Sequence, residues 1–588
     1  MTVKSFLQDH VLIFDGAMGT YYAKTNERKC ELASLEDPEA ILQIHQEYIE
    51  AGCQALKTNT FGANTLSLNC SFETVEQIII QSCRLAKQSI GEKEVFLFGD
   101  IGPIPTLDPS AEEEYKKIID VFFAQGVENF IFETFSNMEY FQSLSQYIKT
   151  KNPNAFLLVE FSVSPEGFTR MGFSGKKLFE QALEISEIDA VGFNCFSGAQ
   201  HLLQYIRQFE LRDKIVSIMP NAGYPTVVDN RTFFQNSPDY FASQMKEIVQ
   251  CGVKILGGCC GTTPAYIQKT VDTLRSFSFQ DICYFAQKPL EKNEPSQKEN
   301  ILLEKIKSKK KIIAVELDPP VDTEISFFME GAKALKHLGV DAITIADCPI
   351  ARARVDSSLL ACKLKRELDI TPIPHMTCRD RNINATKALL LGLNIEGVNN
   401  ILVVTGDPVP SAERDEIKTI FSFNSTLLAN YISTLNESSF HTPFQICGAL
   451  NVNARNFDHQ LKRAQQKIQN GVTMFLTQPI LTKEALENLK IAKATLPAKI
   501  LGGIIPVVSY RNACFMNNEI SGINVSQEII DRYEGLSKEE SAQLAVQISV
   551  DIAHQISDYV DGYYLITPFK RIDIMQRIIY EINNRTLE

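Results

Sequence analysis

Short runs rich in β-branched and aromatic residues alternate with amphipathic helical stretches eight times before residue 280, and then the same alternation begins again. In the first half the runs fall at 11–14, 55–61, 95–99, 129–134, 156–163, 190–194, 214–219 and 254–256. Each intervening segment is long enough for the crossover helix that parallel strands require. The segment from Pro38 to Ala51 shows the pattern, with helical spacing gathering Ile41, Ile44, His45, Tyr48 and Ile49 on one side. Eight βα units in about 280 residues predict a TIM barrel, an α/β fold. Runs at 312–317, 342–345, 371–377, 401–405, 444–450, 473–477, 500–506 and 563–567 predict a second one. Between the two, Gln287–Asn300 lacks apolar periodicity and holds two prolines, as an exposed connector does, and Ile301–Lys311 predicts a basic lead-in helix. The expected organisation is a barrel over 1–285, a linker and lead-in helix over 286–311, and a barrel over 312–588. A doubly wound open sheet fits less well, because the motif-bearing strand ends are spread too evenly for one switch point.

In a barrel of this kind the C-terminal strand ends build the active site. In the first half those ends carry Asp15-Gly-Ala-Met-Gly-Thr, Thr58-Asn-Thr-Phe-Gly, Asp100-Ile-Gly-Pro, Glu133-Thr-Phe-Ser, Asn194-Cys195, Pro220-Asn-Ala-Gly and Gly257-Gly-Cys-Cys-Gly-Thr-Thr-Pro. Cys259 and Cys260 are adjacent. Consecutive Cα atoms lie about 3.8 Å apart, closer than the roughly 4.4–6.8 Å of an unstrained disulfide. Two soft ligands framed by glycines suit a thiophilic metal such as zinc, and Cys195 is the best third thiol. The competing reading is that the cysteines are small buried hydrophobes.

Composition narrows the class. A chain with 44% hydrophobic and 22% charged residues matches a soluble globular protein. A formal net charge of −13 argues against a general nucleic-acid binder. No stretch reaches the ~18 apolar residues of a membrane span. Fourteen cysteines without an apolar leader predict a reducing cytoplasm, where thiols serve as ligands or core residues.

Residues 1 to about 280 resemble the homocysteine S-methyltransferase family, through the Asp-Gly-Ala-Met-Gly-Thr start, the Asn-Cys after the sixth strand and the Gly-Gly-Cys-Cys-Gly signature. The resemblance implies that Cys195, Cys259 and Cys260 bind Zn²⁺, which the homocysteine sulfur joins as a further ligand. It also implies that Asp15, Gly16, Thr60 and Glu133 hold the amino-acid end of the substrate. Physical chemistry agrees, because a free thiol with a pKa near ~8.5 is mostly protonated at neutral pH, and zinc deprotonates a coordinating thiol. Three thiolates leave the site at −1, so a bound substrate thiolate keeps the electron density to attack a methyl group.

The strand ends of the second half carry no cysteine cluster. They carry Glu316-Leu-Asp-Pro-Pro, Pro374-His-Met-Thr-Cys-Arg-Asp, Thr405-Gly-Asp-Pro, Thr477-Gln-Pro and Gly502-Gly-Ile-Ile-Pro, a polar cup suited to a flat heterocycle. This half, about 300 to 588, resembles the catalytic barrel of methylenetetrahydrofolate reductase, through Pro-His-Met-Thr-Cys, Thr-Gly-Asp-Pro, Glu-x-x-Pro-Pro and Thr-Gln. The resemblance implies non-covalent FAD, NADH or NADPH as reductant, and 5,10-methylenetetrahydrofolate as substrate. Glu316 matches the general acid, Asp407 the carboxylate beside flavin and pterin, and Gln478 a pterin contact. His375, Thr405, Gly406 and Lys467 match flavin-binding positions. Ala346-Asp-Cys-Pro and Ala449-Leu-Asn-Val-Asn-Ala depart from the family's usual loops. A carboxylic acid that stays protonated near neutral pH needs a raised pKa, as burial provides.

The expected function is therefore a bifunctional enzyme of one-carbon and methionine metabolism. The methyl donor stays open among methylfolate, S-methylmethionine, S-adenosylmethionine and a separate corrinoid protein partner, since no Asp-x-His-x-x-Gly cobalamin signature is found. The alternative is an active reductase whose first barrel is a zinc or thiol binding module, or a partner-docking one. A homo-oligomer is expected from the resemblance alone.

Overall fold

The computed structural model describes residues 1–588 except 24–28, 107–109, 224, 229–230, 235–236, 276, 278–281, 283–299, 309–310, 410–418, 421–422, 521 and 586–588. Most of the expected linker lies outside the described residues. The chain divides into two compact units, Met1–Leu290 and Glu291–Glu588.

The first unit holds β1 (Leu12–Ile13), β2 (Ala55–Lys57), β3 (Phe96–Ile101), β4 (Asn129–Phe135), β5 (Phe156–Phe161), β6 (Ala190–Gly198), β7 (Val216–Asn221), a hairpin of β8 (Pro225–Val228) and β9 (Arg231–Phe234), and β10 (Ile255–Leu256). Eight of these pair in parallel in the order β1-β10-β7-β6-β5-β4-β3-β2, and a parallel bridge from Phe14 to Ala55 joins the two ends. All eight expected strands are present. The antiparallel β8–β9 hairpin was not expected.

Alternation along the strands sorts the interior into layers. Leu12, Phe14, Ala55, Phe98, Ile131, Leu158, Ala190 and Met219 form an apolar floor, closed by Val3 and Leu7 from the helix Val3–Asp9. Two residues further along four of those strands come Lys57, Asp100, Glu133 and Glu160, all buried. The period of two that places hydrocarbon at the floor thus places ionisable groups directly above it. The helix Pro38–Glu50 buries Ile41, Ile44, His45, Tyr48 and Ile49 as its spacing requires. Both His45 ring nitrogens lack a partner, and burial pushes its pKa down to about 3, so the imidazole is neutral core.

The second unit closes as β11 (Ile312–Leu317), β12 (Ala342–Ile345), β13 (Pro372–Thr377), β14 (Asn400–Val404), β15 (Gln445–Leu450), β16 (Met474–Pro479), β17 (Lys499–Ile504) and β18 (Gly562–Ile566). The lead-in helix spans Ile301–Lys307, with the Asn300 side chain accepting from the Leu302 and Leu303 amides. It packs Leu302 and Ile306 into a floor with Ala314, Ile373, Leu402, Cys447, Met474 and Leu501. Both barrels are therefore α/β and plugged at the floor by a short helix. No helix among the described residues is long and apolar enough to cross a membrane.

Candidate functional site

In the first barrel the cysteine loop is shaped by close approach. A Cβ on Gly258 would lie 2.4 Å from Thr262 Oγ1, and one on Gly16 would lie 2.6 Å from the same oxygen. That hydroxyl is already spent, donating to the Cys259 carbonyl at 2.7 Å and accepting from the Ala17 amide at 3.0 Å. The loop is tied down by the Cys259 amide to Pro220 O at 2.8 Å and by the Ala222 amide to Cys260 O at 2.9 Å. Cys195 reaches the same point by another device. The β6–β7 register shifts between Asn194 and Gly198, and Cys195 and Phe196 both take left-handed backbone, at φ 54° and 58°. Such conformations are costly for residues with side chains and occur where geometry has to be forced.

The Sγ atoms of Cys195, Cys259 and Cys260 all lie within 4.8 Å of one another, with Cys195 to Cys260 at 3.7 Å. Tetrahedral zinc with Zn–S bonds of about 2.3 Å needs sulfurs about 3.8 Å apart, so the donor set fits that ion. The Cys259 and Cys260 thiols hold Cys195 well below the ordinary thiol range, and Cys259 is pushed well up in return.

These sulfurs line a cavity of about 380 Å³ together with Asp15, Gly16, Thr60 and Glu133, so the seven positions expected of the first site meet in one place. Lys57, to which the sequence reading gave no role, and Asp100, which it named only within a strand-end motif, line the same cavity. Lys57 Nζ lies 2.9 Å from Glu133 Oε2, with the two side chains only 9% and 8% exposed. The Lys57 amide donates to Asp15 Oδ2 at 3.0 Å. Burial pushes Asp15 up to about 7 against the pull of Lys57, and pushes Asp100 well up with Glu133 adding. Glu160 sits deeper, accepts from Ser217 Oγ at 2.6 Å and is raised to about 8 by burial. Thr60 Oγ1 donates to the Asp100 carbonyl at 2.7 Å. The signal for Lys57 was available: it stands two residues beyond inward-facing Ala55, in the layer that holds Glu133 beyond Ile131.

In the second barrel, Glu316 and His375 stand two residues beyond floor residues Ala314 and Ile373. His375 Nε2 lies 3.5 Å from Glu316 Oε2 but has no hydrogen-bond partner, and Tyr564 Oη donates to Glu316 Oε2. Burial raises the Glu316 pKa and lowers that of His375 to about 4, so the acid faces a neutral imidazole. Tyr564 is a contact the sequence reading did not name.

Thr405, Gly406 and Asp407 leave the end of β14. The Thr405 hydroxyl lies 3.3 Å from Ser425 Oγ. Gly406 has φ 96°, and a Cβ there would meet Thr377 and Arg379 at 3.2 and 3.3 Å. Asp407 Oδ2 accepts from the Ile350 amide at 2.8 Å, and its carbonyl accepts from Arg379 Nη1 at 3.0 Å. Ile350 belongs to the departing loop after β12, where Cys348, Ile350 and Ala351 all have positive φ. In that loop Asp347 is occupied structurally, accepting from the Thr377 amide and pairing with Arg381 at 2.7 Å.

Gln478 stands two residues beyond inward Leu476, within a register shift between β16 and β17. Lys467, on the helix Phe457–Gln469, buries its amine against the Ala449 carbonyl at 3.1 Å, and burial lowers its pKa to about 8. The open His375 nitrogen and the bare Gly406 backbone are the features a flat cofactor would use.

Two barrels share one chain, one with converging thiols over buried carboxylates and the other with a buried acid, imidazole and phenol above its floor. The homocysteine S-methyltransferase family matches residues 12–274, and the methylenetetrahydrofolate reductase family matches residues 302–581. Each family model thus matches one half of the chain.

A methionine synthase of Mycobacterium tuberculosis is 27% identical over 294 residues, covering 45% of this chain and 24% of that protein. That of Mycobacterium leprae is 26% identical over 294 residues, with the same coverage of 45% and 24%. The chain thus spans about a quarter of the length of these curated relatives. The metallated crystal structure of the homocysteine methyltransferase MmuM from Escherichia coli is 19% identical with a TM-score of 0.37, covering 46% of this chain and 98% of that one.

Proposed function

We propose that the first barrel methylates the sulfur of homocysteine to give methionine, and that the second reduces 5,10-methylenetetrahydrofolate to 5-methyltetrahydrofolate with NADH or NADPH. The observation that carries the first reading is the convergence of three sulfurs at a cavity that buried carboxylates also line. Cys195, Cys259 and Cys260 would hold Zn²⁺, which lowers the pKa of a coordinated thiol so that it attacks as thiolate. Asp15, Gly16, Thr60 and Glu133 would hold the amino-acid end, with Lys57 paired to Glu133.

In the second barrel, Thr405, Gly406, His375 and Lys467 would hold FAD, which passes a hydride from the nicotinamide to the folate. Glu316 donates a proton to the ring nitrogen of the folate, so that the five-membered ring opens to an iminium ready for hydride. Burial raises its pKa and so favours the protonated form, and the neutral His375 adds no positive charge that would oppose this. Asp407 and Gln478 orient the pterin.

The test is a donor panel on the zinc-loaded, flavin-loaded full chain: homocysteine with 5-methyltetrahydrofolate, S-methylmethionine, S-adenosylmethionine or a methylated corrinoid protein, scored for methionine. Formation of methionine with any of these donors supports the transferase reading, and none from the complete panel removes it. NAD(P)H oxidation on adding methylenetetrahydrofolate tests the second barrel separately.

A further inference from the structure

A second cavity of about 500 Å³ lies in the first barrel, among the segments that follow β3, β4 and β5, and holds none of the residues assigned above. It adjoins the thiol cup. Thr134 and Arg170 line the cup, and Phe135 and Met171, the next residues along the chain, line the second cavity. Its volume is that of a site for one drug-sized ligand.

Tyr115, Phe135 and Tyr140 give this cavity aromatic walls, with the Tyr115 ring 6.2 Å from Phe135 and 6.1 Å from Tyr140. Tyr115 is buried and its oxygen accepts from the Ile104 amide at 2.7 Å, which leaves the phenol proton without an acceptor among the described residues. Glu139 is exposed at the rim. Its amide donates to Asn137 Oδ1 at 3.2 Å, and Asn137 Nδ2 donates back to Oε2 at 3.4 Å, so the carboxylate is steadied while Oε1 stays open among the described residues. Aromatic faces, one spare donor and one spare carboxylate oxygen suit a flat ring with both kinds of edge. A 2-amino-4-oxopyrimidine has them: its amino and N3–H groups donate to a carboxylate, its O4 accepts from a phenol, and its faces stack.

Arg170 adds a selection by charge. It lines the thiol cup with Cys195 and lies 5.2 Å from the Phe196 ring. A fixed cation there attracts a methyl donor with a carboxylate tail and opposes one that is itself a sulfonium.

We propose that the second cavity binds the pterin of 5-methyltetrahydrofolate, which makes methylfolate the methyl donor of this barrel. The assignment rests on the transferase reading and names its second substrate. In the transfer the homocysteine sulfur bonds to the methyl carbon, and the methyl–N5 bond breaks with its electron pair on N5. N5 takes a proton from solvent, so methionine and tetrahydrofolate leave.

The experiment is methionine formation by the full-length, zinc- and flavin-loaded protein with 5-methyltetrahydrofolate varied. Glu139→Gln is expected to raise the KM for methylfolate by about 10- to 100-fold, the worth of hydrogen bonds to a charged group. Tyr140→Ala should raise it by about fivefold or more through lost stacking. Both variants should keep the wild-type KM for homocysteine, zinc content and rate of methylenetetrahydrofolate reduction in the second barrel. An unchanged KM for methylfolate in either variant overturns the assignment, as does an equal rise in the KM for homocysteine. Methionine from S-methylmethionine, S-adenosylmethionine or a methylated corrinoid protein, with none from free methylfolate, overturns it while the transferase reading stands. No methionine from any donor removes that reading, and the assignment with it.

Discussion

Lys57→Met removes one partner of a buried ion pair and leaves the other in place. The side chains of Lys57 and Glu133 are 9% and 8% exposed and meet at 2.9 Å. Breaking such a pair by deleting one charge costs about 3–5 kcal/mol, because the survivor stays buried without compensation. Here the survivor keeps only Asn194 Nδ2, at 3.4 Å. The loss should therefore stand near ~3 kcal/mol. The double variant Lys57→Met/Glu133→Gln removes both charges and should return to within about 1.5 kcal/mol of wild type, since a neutral polar pair costs far less to bury. Urea-dependent hydrogen exchange, read by mass spectrometry on peptides covering β2 and β4, reports the stability of this barrel without interference from the other. A single-variant cost below about 1 kcal/mol, or a double variant no better than the single, would refute the view of Glu133 as an internally paired charge.

Other expectations follow from the same geometry. Cys259→Ala should abolish zinc retention, measured by elemental analysis of the dialysed protein, while NAD(P)H oxidation by the second barrel continues. Gly258→Ala would place a methyl 2.4 Å from Thr262 Oγ1, costing about 1–3 kcal/mol of overpacking and lowering zinc affinity, which competition with a chromophoric chelator measures. The reductase should be most active where Glu316 is protonated and lose rate as pH rises through its raised pKa. Glu316→Gln should flatten that profile and cut methylenetetrahydrofolate turnover by about 10²–10⁴, leaving flavin reduction by NAD(P)H intact in stopped flow. Lys467, whose folded pKa is lowered to about 8, costs the fold stability below that pH and costs less as pH rises from 8 toward its ordinary value. Lys467→Met should therefore raise the pH 7 stability of the apoprotein by about 1–3 kcal/mol while weakening FAD retention in equilibrium dialysis.

Both barrels were legible in the sequence because burial imposes one rule on every strand. Each parallel strand needs an apolar run, and each run is followed by a turn that carries the chemistry. The cysteine pair was legible because glycines crowd around it, and Gly258 is now seen to be required by Thr262 rather than by an unusual φ. What the sequence could not show was how Cys195 arrives. Its direction depends on a register shift and two left-handed residues, which no local pattern announces. Lys57 becomes readable only once Ala55 is known to face inward. A lysine ending an apolar strand looks like a snorkelling surface residue until the strand is known to point its side chain into the barrel. Tyr564 was hidden likewise, since a buried phenol and a core aromatic share one sequence signature. The β8–β9 hairpin lies in a loop that the barrel pattern leaves unconstrained.

Three cysteines that gather one metal ion and leave it a position for substrate sulfur have a definite spectroscopic signature. Zinc K-edge absorption of the full chain, with and without L-homocysteine, tests it most directly. Three sulfur neighbours at about 2.3 Å plus one lighter atom are expected in the free protein, becoming four sulfurs when homocysteine binds. Fewer than three sulfurs in the free protein, or a coordination shell unchanged by saturating homocysteine, would contradict it.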